Sequence, residues 1–161
     1  MLRVLLIVLT LFSGVTLLRA QVGITTVLKE ATIVGSAFKN DGWQQPVTLE
    51  YIDTEKGRRY RLYYQNEEYL GSYYSDSIID IRSIYFYANE QELEYLYNFL
   101  YEGLSNPNRR ELEIGDAKII TEITTDRNRQ KGVVTCFVLN NDGASSYFRL
   151  TKKTLNRVFA K

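Results

Sequence analysis

From Val47 to Ile52 the chain alternates Val47, Leu49 and Tyr51 with Thr48 and Glu50, and from Arg59 to Tyr64 it alternates again around Tyr60, Leu62 and Tyr64. A period of two sends successive side chains to opposite faces, so both segments predict strands with one buried face. Asp53-Thr-Glu-Lys-Gly57 between them is a turn ending in Gly, and the three pieces form the clearest hairpin in the chain. Residues 22–39 mix Val22, Ile24, Val27, Leu28, Ile33, Val34 and Phe38 with Thr, Ala and Gly, which predicts one or two strands stopped by Asn40-Asp-Gly42. Ile78 to Tyr87 predicts another strand.

The period then changes. Asn89 stands three residues before Glu92, the spacing of a capping box, and Leu93, Leu96, Tyr97, Leu100 and Leu104 recur at helical intervals. Gly103 weakens the last turn, and Asn106-Pro107 ends the helix. Strands are expected at Lys118 to Thr125, Val133 to Leu139 and Ser146 to Leu150, separated by polar turns at 126–132 and Asn140-Asn-Asp-Gly143. A short helix from Thr151 carries Leu155, Val158 and Phe159. No internal repeat is visible in the residues. The order strands, helix, strands, helix predicts an α+β fold: mainly antiparallel sheet, one longer helix packed on a face and a short C-terminal helix.

The first 20 residues read differently. Arg3 precedes an apolar run from Val4 to Phe12, and Leu18-Arg19-Ala20 leaves a small residue before Gln21, as a signal peptidase requires. Residues 4–18 are interrupted by Thr10, Ser13, Gly14 and Thr16, shorter than the roughly 20 apolar residues of a spanning helix. The expectation is a signal peptide over 1–20 and a single α+β domain over 21–161, with no stable membrane span after cleavage and a periplasmic or extracellular destination. Losing Arg3 and Arg19 turns the formal charge from +1 to −1, which gives no global attraction to nucleic acid or anionic lipid.

Two absences narrow the chemistry. There is no His, so Ser-His-Asp and Cys-His catalysis and His-ligated metal sites cannot be assembled. Cys136 is the only Cys and lies in an apolar strand, where it reads as a small buried side chain that makes no internal disulfide. The Asn-Asp-Gly turns lack the ligand pattern of a calcium loop, and no phosphate-binding glycine loop occurs. No catalytic residue, metal or cofactor is assigned.

What remains is surface chemistry. Tyr is in excess, 13 in all, and most fall between Tyr60 and Tyr101. Tyr60, Tyr64 and Tyr97 fit packed faces, whereas Tyr69, Tyr73 and Tyr74, in a loop-like stretch, and Trp43 are the candidates for ligand or partner contact. Glu50 and Glu122 sit on predicted solvent faces of strands, and linear spacing brings no two carboxylates together. Four basic clusters, around Lys56-Gly-Arg-Arg59, Arg109-Arg110, Arg127 to Lys131 and Lys152-Lys153, lie in or beside turns; export and near-neutrality argue against nucleic acid as their partner.

Tyr85-Phe-Tyr87 leading into Glu92-Leu-Glu-Tyr-Leu96, Tyr147 to Leu155 leading into the terminal helix, and Gln21 after the cleavage site together resemble small exported proteins of unknown function from Bacteroidota. The resemblance covers about the last half of the chain. It implies a bacterial envelope setting and an α+β fold, and transfers no functional residue. The expected function is a non-enzymatic binding or interaction protein of the envelope, with an envelope protein or carbohydrate as partner. The alternatives are a carboxylate-dependent hydrolase of envelope carbohydrate and a carrier of a small apolar ligand.

Overall fold

The alternating segments at 47–52 and 59–64 fold as adjacent strands in a computed structural model, which describes residues 30–37, 47–69, 80–122 and 132–161. The first sheet runs in chain order through β1 (Thr32–Ala37), β2 (Val47–Thr54), β3 (Gly57–Gln65) and β4 (Ile81–Tyr87), all antiparallel. Helix α1 (Glu90–Gly103) follows. The second sheet repeats the meander through β5 (Arg110–Ile114), β6 (Ala117–Glu122), β7 (Val133–Asn140) and β8 (Ser145–Thr151), and α2 (Lys152–Val158) closes the order. This is the expected α+β class, with a longer helix and a short C-terminal one.

Two features go beyond the sequence reading. Four antiparallel strands followed by a helix occur twice in the order of elements, a repetition of topology without shared residues. Arg110–Ile114, to which the sequence reading assigns no element, is strand β5, paired with β6 through a tight turn at Gly115 and Asp116. The expected strand material at 22–29 lies outside the described residues, while β1 begins at Thr32.

Cross-strand rows supply the core. Leu49, Leu62 and Ile84 lie side by side on β2, β3 and β4, each almost fully buried, and each contributes about 1.5–3 kcal/mol by burial. Tyr51, Tyr60 and Phe86 form the next row on that face, with Tyr60 and Phe86 stacked at 5.5 Å. In the second sheet Thr121, Cys136 and Phe148 form an equivalent row. Both inner faces belong to one apolar cluster.

The helices fix how the repeats combine. Asn89 accepts from the Glu92 amide at 2.9 Å while the Glu92 carboxylate accepts from the Asn89 amide at 2.8 Å, so the predicted capping box starts α1. Leu96, Phe99 and Leu100 are its buried residues, and Gly103 packs against Thr121 and Val134 of the second sheet. Helix α2 instead lies on β1 and β2 of the first sheet. Each helix therefore covers the sheet of the other repeat. The approach is close at Gly35 of β1, where a Cβ would sit 2.0 Å from the Arg157 carbonyl oxygen, so only glycine fits. No helix among the described residues is long and apolar enough to cross a membrane.

Candidate functional site

Of the four aromatic candidates from sequence, Trp43, Tyr73 and Tyr74 lie outside the described residues. Tyr69 ends a 3-10 turn, Glu67–Tyr69, but its side chain is also outside what is described. The aromatic surface the structure displays is built from other tyrosines of the same excess. Tyr60 and Tyr64 face the core, as their alternation predicts, which leaves their neighbours Arg59, Arg61 and Tyr63 on the outer face of β3.

That outer face is ordered by register. Arg61 pairs with Glu50 of β2 on one side and Tyr85 of β4 on the other, and the adjacent row is Ile52, Arg59 and Tyr87. Ile33 of β1 extends the first row beyond Glu50. Tyr85, Tyr87 and Ile33 are 38%, 52% and 61% exposed, which makes this an apolar and aromatic surface open to solvent. The Arg59 guanidinium lies 4.9 Å from the centre of the Tyr85 ring, and that of Arg61 lies 5.2 Å from the Tyr63 ring.

Glu50 is a partial surprise. Alternation places it on the outer face, but it is only 9% exposed because Arg61 bridges to its carboxylate. Burial works against the Arg61 charge, yet the Tyr85 hydroxyl and Glu50 outweigh it and raise the guanidinium pKa, so Arg61 stays charged. Its Nε is buried and finds no acceptor among the described residues. Glu50, Ile52, Arg59, Arg61 and Tyr85 line a shallow hollow of about 230 Å³. Tyr87 also borders a second hollow of about 350 Å³, between β4, α1 and β5, with Tyr95 and Leu112 on its other walls.

Several carboxylates outside this hollow are engaged with cations or amides. Asp80 accepts from Arg82 at 2.8 Å and from the Asn66 amide at 3.0 Å, Glu67 pairs with Arg149, and Glu111 pairs with Lys118 at 3.2 Å. Burial pushes the Asp80 carboxyl up, but the hydrogen bonds from Asn66 and Arg82 outweigh it and leave its pKa below the ordinary value. Lys118 and then Arg109 hold Glu111 low as well. A general acid needs the opposite shift. No three acid or Cys side chains converge as a metal site among the described residues.

Cys136 is fully buried, and burial drives its thiol far above the ordinary range, with Glu67 adding to the effect. A thiol held protonated is neither a nucleophile nor a metal ligand, so the residue packs the core as its strand context predicts.

Sequence reasoning placed the candidate contacts at Trp43, Tyr69, Tyr73 and Tyr74, and missed that Tyr85 and Tyr87 share their outer face with Arg59 and Arg61. The signal was present in the alternation Arg59-Tyr-Arg61 against Tyr85-Phe-Tyr87, two strands whose odd positions are basic in one and aromatic in the other. No protein-family model, curated protein or solved structure matches this chain.

Proposed function

We propose that the protein is an exported, non-enzymatic binding domain of a bacterial envelope, and that it contacts its partner through the outer face of β2, β3 and β4. The observation that carries this reading is the exposed pairing of Arg59 and Arg61 with Tyr85 and Tyr87. Tyr and Arg are enriched at the energetically dominant positions of binding surfaces, Tyr because it offers a wide apolar ring and a hydroxyl at low entropic cost and Arg because its planar guanidinium carries several donors. The leading apolar run with its small-residue cleavage point supports export.

The non-enzymatic part rests on the acids. Asp80 and Glu111 have lowered pKa values and engaged partners, which is the reverse of what acid catalysis of glycoside cleavage demands.

Fractionation of the producing cell and sedimentation with isolated envelopes test the reading together. The expected result is a processed chain outside the cytoplasm that sediments with envelopes, and an Arg59→Ala, Tyr85→Ala, Tyr87→Ala variant that folds but stays in the supernatant. A second variant replacing Trp43, Tyr69, Tyr73 and Tyr74 with Ala measures whether those loop aromatics belong to the same surface. Unprocessed protein in the cytosol, or undiminished sedimentation of the first variant, overturns the proposal.

A further inference from the structure

Arg59 and Arg61 stand two residues apart on one strand, so both side chains leave the same face. Each is fixed in place: Arg59 against the Tyr85 ring, and Arg61 against Tyr63 with an ion pair to Glu50. Fixing a guanidinium before a ligand arrives removes much of the ordering cost of binding. Among the described residues Arg61 Nε has no acceptor, while the Arg61 side chain as a whole is 41% exposed and lines the hollow, where a ligand can reach its guanidinium.

We infer that the hollow between Arg59, Arg61 and Tyr85 is a subsite for a singly charged sugar acid, a uronate unit of an acidic polysaccharide. This rests on the outer face of β2 to β4 being the contact surface. The carboxylate accepts from the guanidinium groups of Arg59 and Arg61, a charge-assisted arrangement. Ile52 of β2 and Tyr85 of β4, on either side of the arginines, provide apolar contact for the C–H face of the sugar, and the Glu50 carboxylate beside Ile52 accepts from a ring hydroxyl. Glu50 also sets the charge of the ligand. A negative carboxylate lining the same hollow repels a doubly charged phosphate monoester more strongly than a singly charged sugar acid. Arg59 already covers one face of the Tyr85 ring, which leaves less of it for a nucleobase to stack on.

Calorimetric titration of the purified full chain tests the assignment with three probes: oligogalacturonate, its methyl ester and single-stranded oligothymidylate. Oligogalacturonate is expected to bind. Methyl esterification, which removes the charge and keeps the sugar, and Arg59→Gln are each expected to weaken binding roughly ten- to hundredfold, the cost of losing a charged hydrogen bond. Arg59 is exposed, so an unchanged melting curve certifies the fold of that variant, and Arg59→Lys restores part of the affinity by returning the charge without the fork. Equal binding of the methyl ester, tighter binding of oligothymidylate, or no binding of oligogalacturonate overturns the inference. If oligogalacturonate fails while envelope sedimentation still depends on Arg59, Tyr85 and Tyr87, only the sugar acid falls; if sedimentation is also indifferent, the contact surface falls with it.

Discussion

The hydroxyl of Tyr64 on β3 and that of Ser146 on β8 lie 2.7 Å apart in a buried hydrogen bond that joins the two sheets. The Tyr64 ring continues the contact, 4.4 Å from that of Phe148. One residue beyond β3, Asn66 binds both repeats: its side chain donates to Asp80 and accepts from the Tyr147 amide at 3.1 Å. Glu67 does the same for the Arg149 amide at 2.8 Å. Two side chains thus satisfy amides on an edge strand, where a neighbouring strand would otherwise pair.

Tyr64→Phe keeps the ring contacts and removes the bond to Ser146. It is expected to lower stability by about 1–1.5 kcal/mol in urea unfolding with an unchanged slope. In a double-mutant cycle with Ser146→Ala, a coupling near zero would show that the pair contributes nothing between the sheets.

Stability should fall at both ends of the pH scale, for opposite reasons. The Asp80 carboxyl is held low in the folded protein, so its contribution is present above the ordinary value of 3.8 and disappears as pH falls through the lowered folded value. Cys136 and Tyr64 are shifted upward, chiefly by burial, so their contributions are intact below 9.0 and 10.0 respectively and are lost as pH rises past those values. Asp80→Asn should reduce stability at neutral pH and flatten the acid limb, and Cys136→Ala should flatten the alkaline limb. Chemical denaturation across pH reads both; unaltered limbs would contradict the assignment.

Gly35→Ala should be costly where most Gly→Ala changes are not. The new Cβ meets the backbone carbonyls of Arg157 and Val158, which cannot rotate away, so α2 must shift; a loss of roughly 2–3 kcal/mol is expected. Gly143→Ala is the comparison, because its Cβ meets open space and only the left-handed backbone, φ +82°, is penalised, by about 1 kcal/mol. Equal midpoint shifts in the two variants would refute the close approach at Gly35.

A chain ending at Leu104 keeps the first sheet and α1 but loses the α2 cover on β1 and β2, and α1 loses its seat on β6 and β7. Such a half is expected to show no cooperative thermal transition and rapid amide exchange throughout. A sharp two-state melt from it would mean that each repeat is self-sufficient.

Much of this fold was legible because periodicity is a local signal. The β2–β3 hairpin, the Asn89 capping box and the strands around Cys136 and Phe148 each announce themselves within a few residues. Strand β5 did not, since only Leu112 and Ile114 of its five residues are apolar and its reversal takes just Gly115 and Asp116. The repeat was hidden for another reason: the two meanders share an order of elements, while their core rows differ, Leu49-Leu62-Ile84 against Thr121-Cys136-Phe148. The candidate site fell between these cases. Alternation placed Arg59 and Arg61 opposite Tyr60 and Leu62, but which tyrosines lie beside them depends on the β3–β4 register, a pairing between segments well apart in sequence that no local pattern encodes.

The crossing of the helices also sets a timetable. A chain that emerges from its N-terminal end can pair β1 to β4 early, yet the apolar side of β1 and β2 lacks its helical cover until residues 152–158 arrive more than sixty positions after β4 ends. Consolidation therefore waits for the final turns, and a polypeptide threaded through a narrow channel would stay pliable for nearly the whole passage.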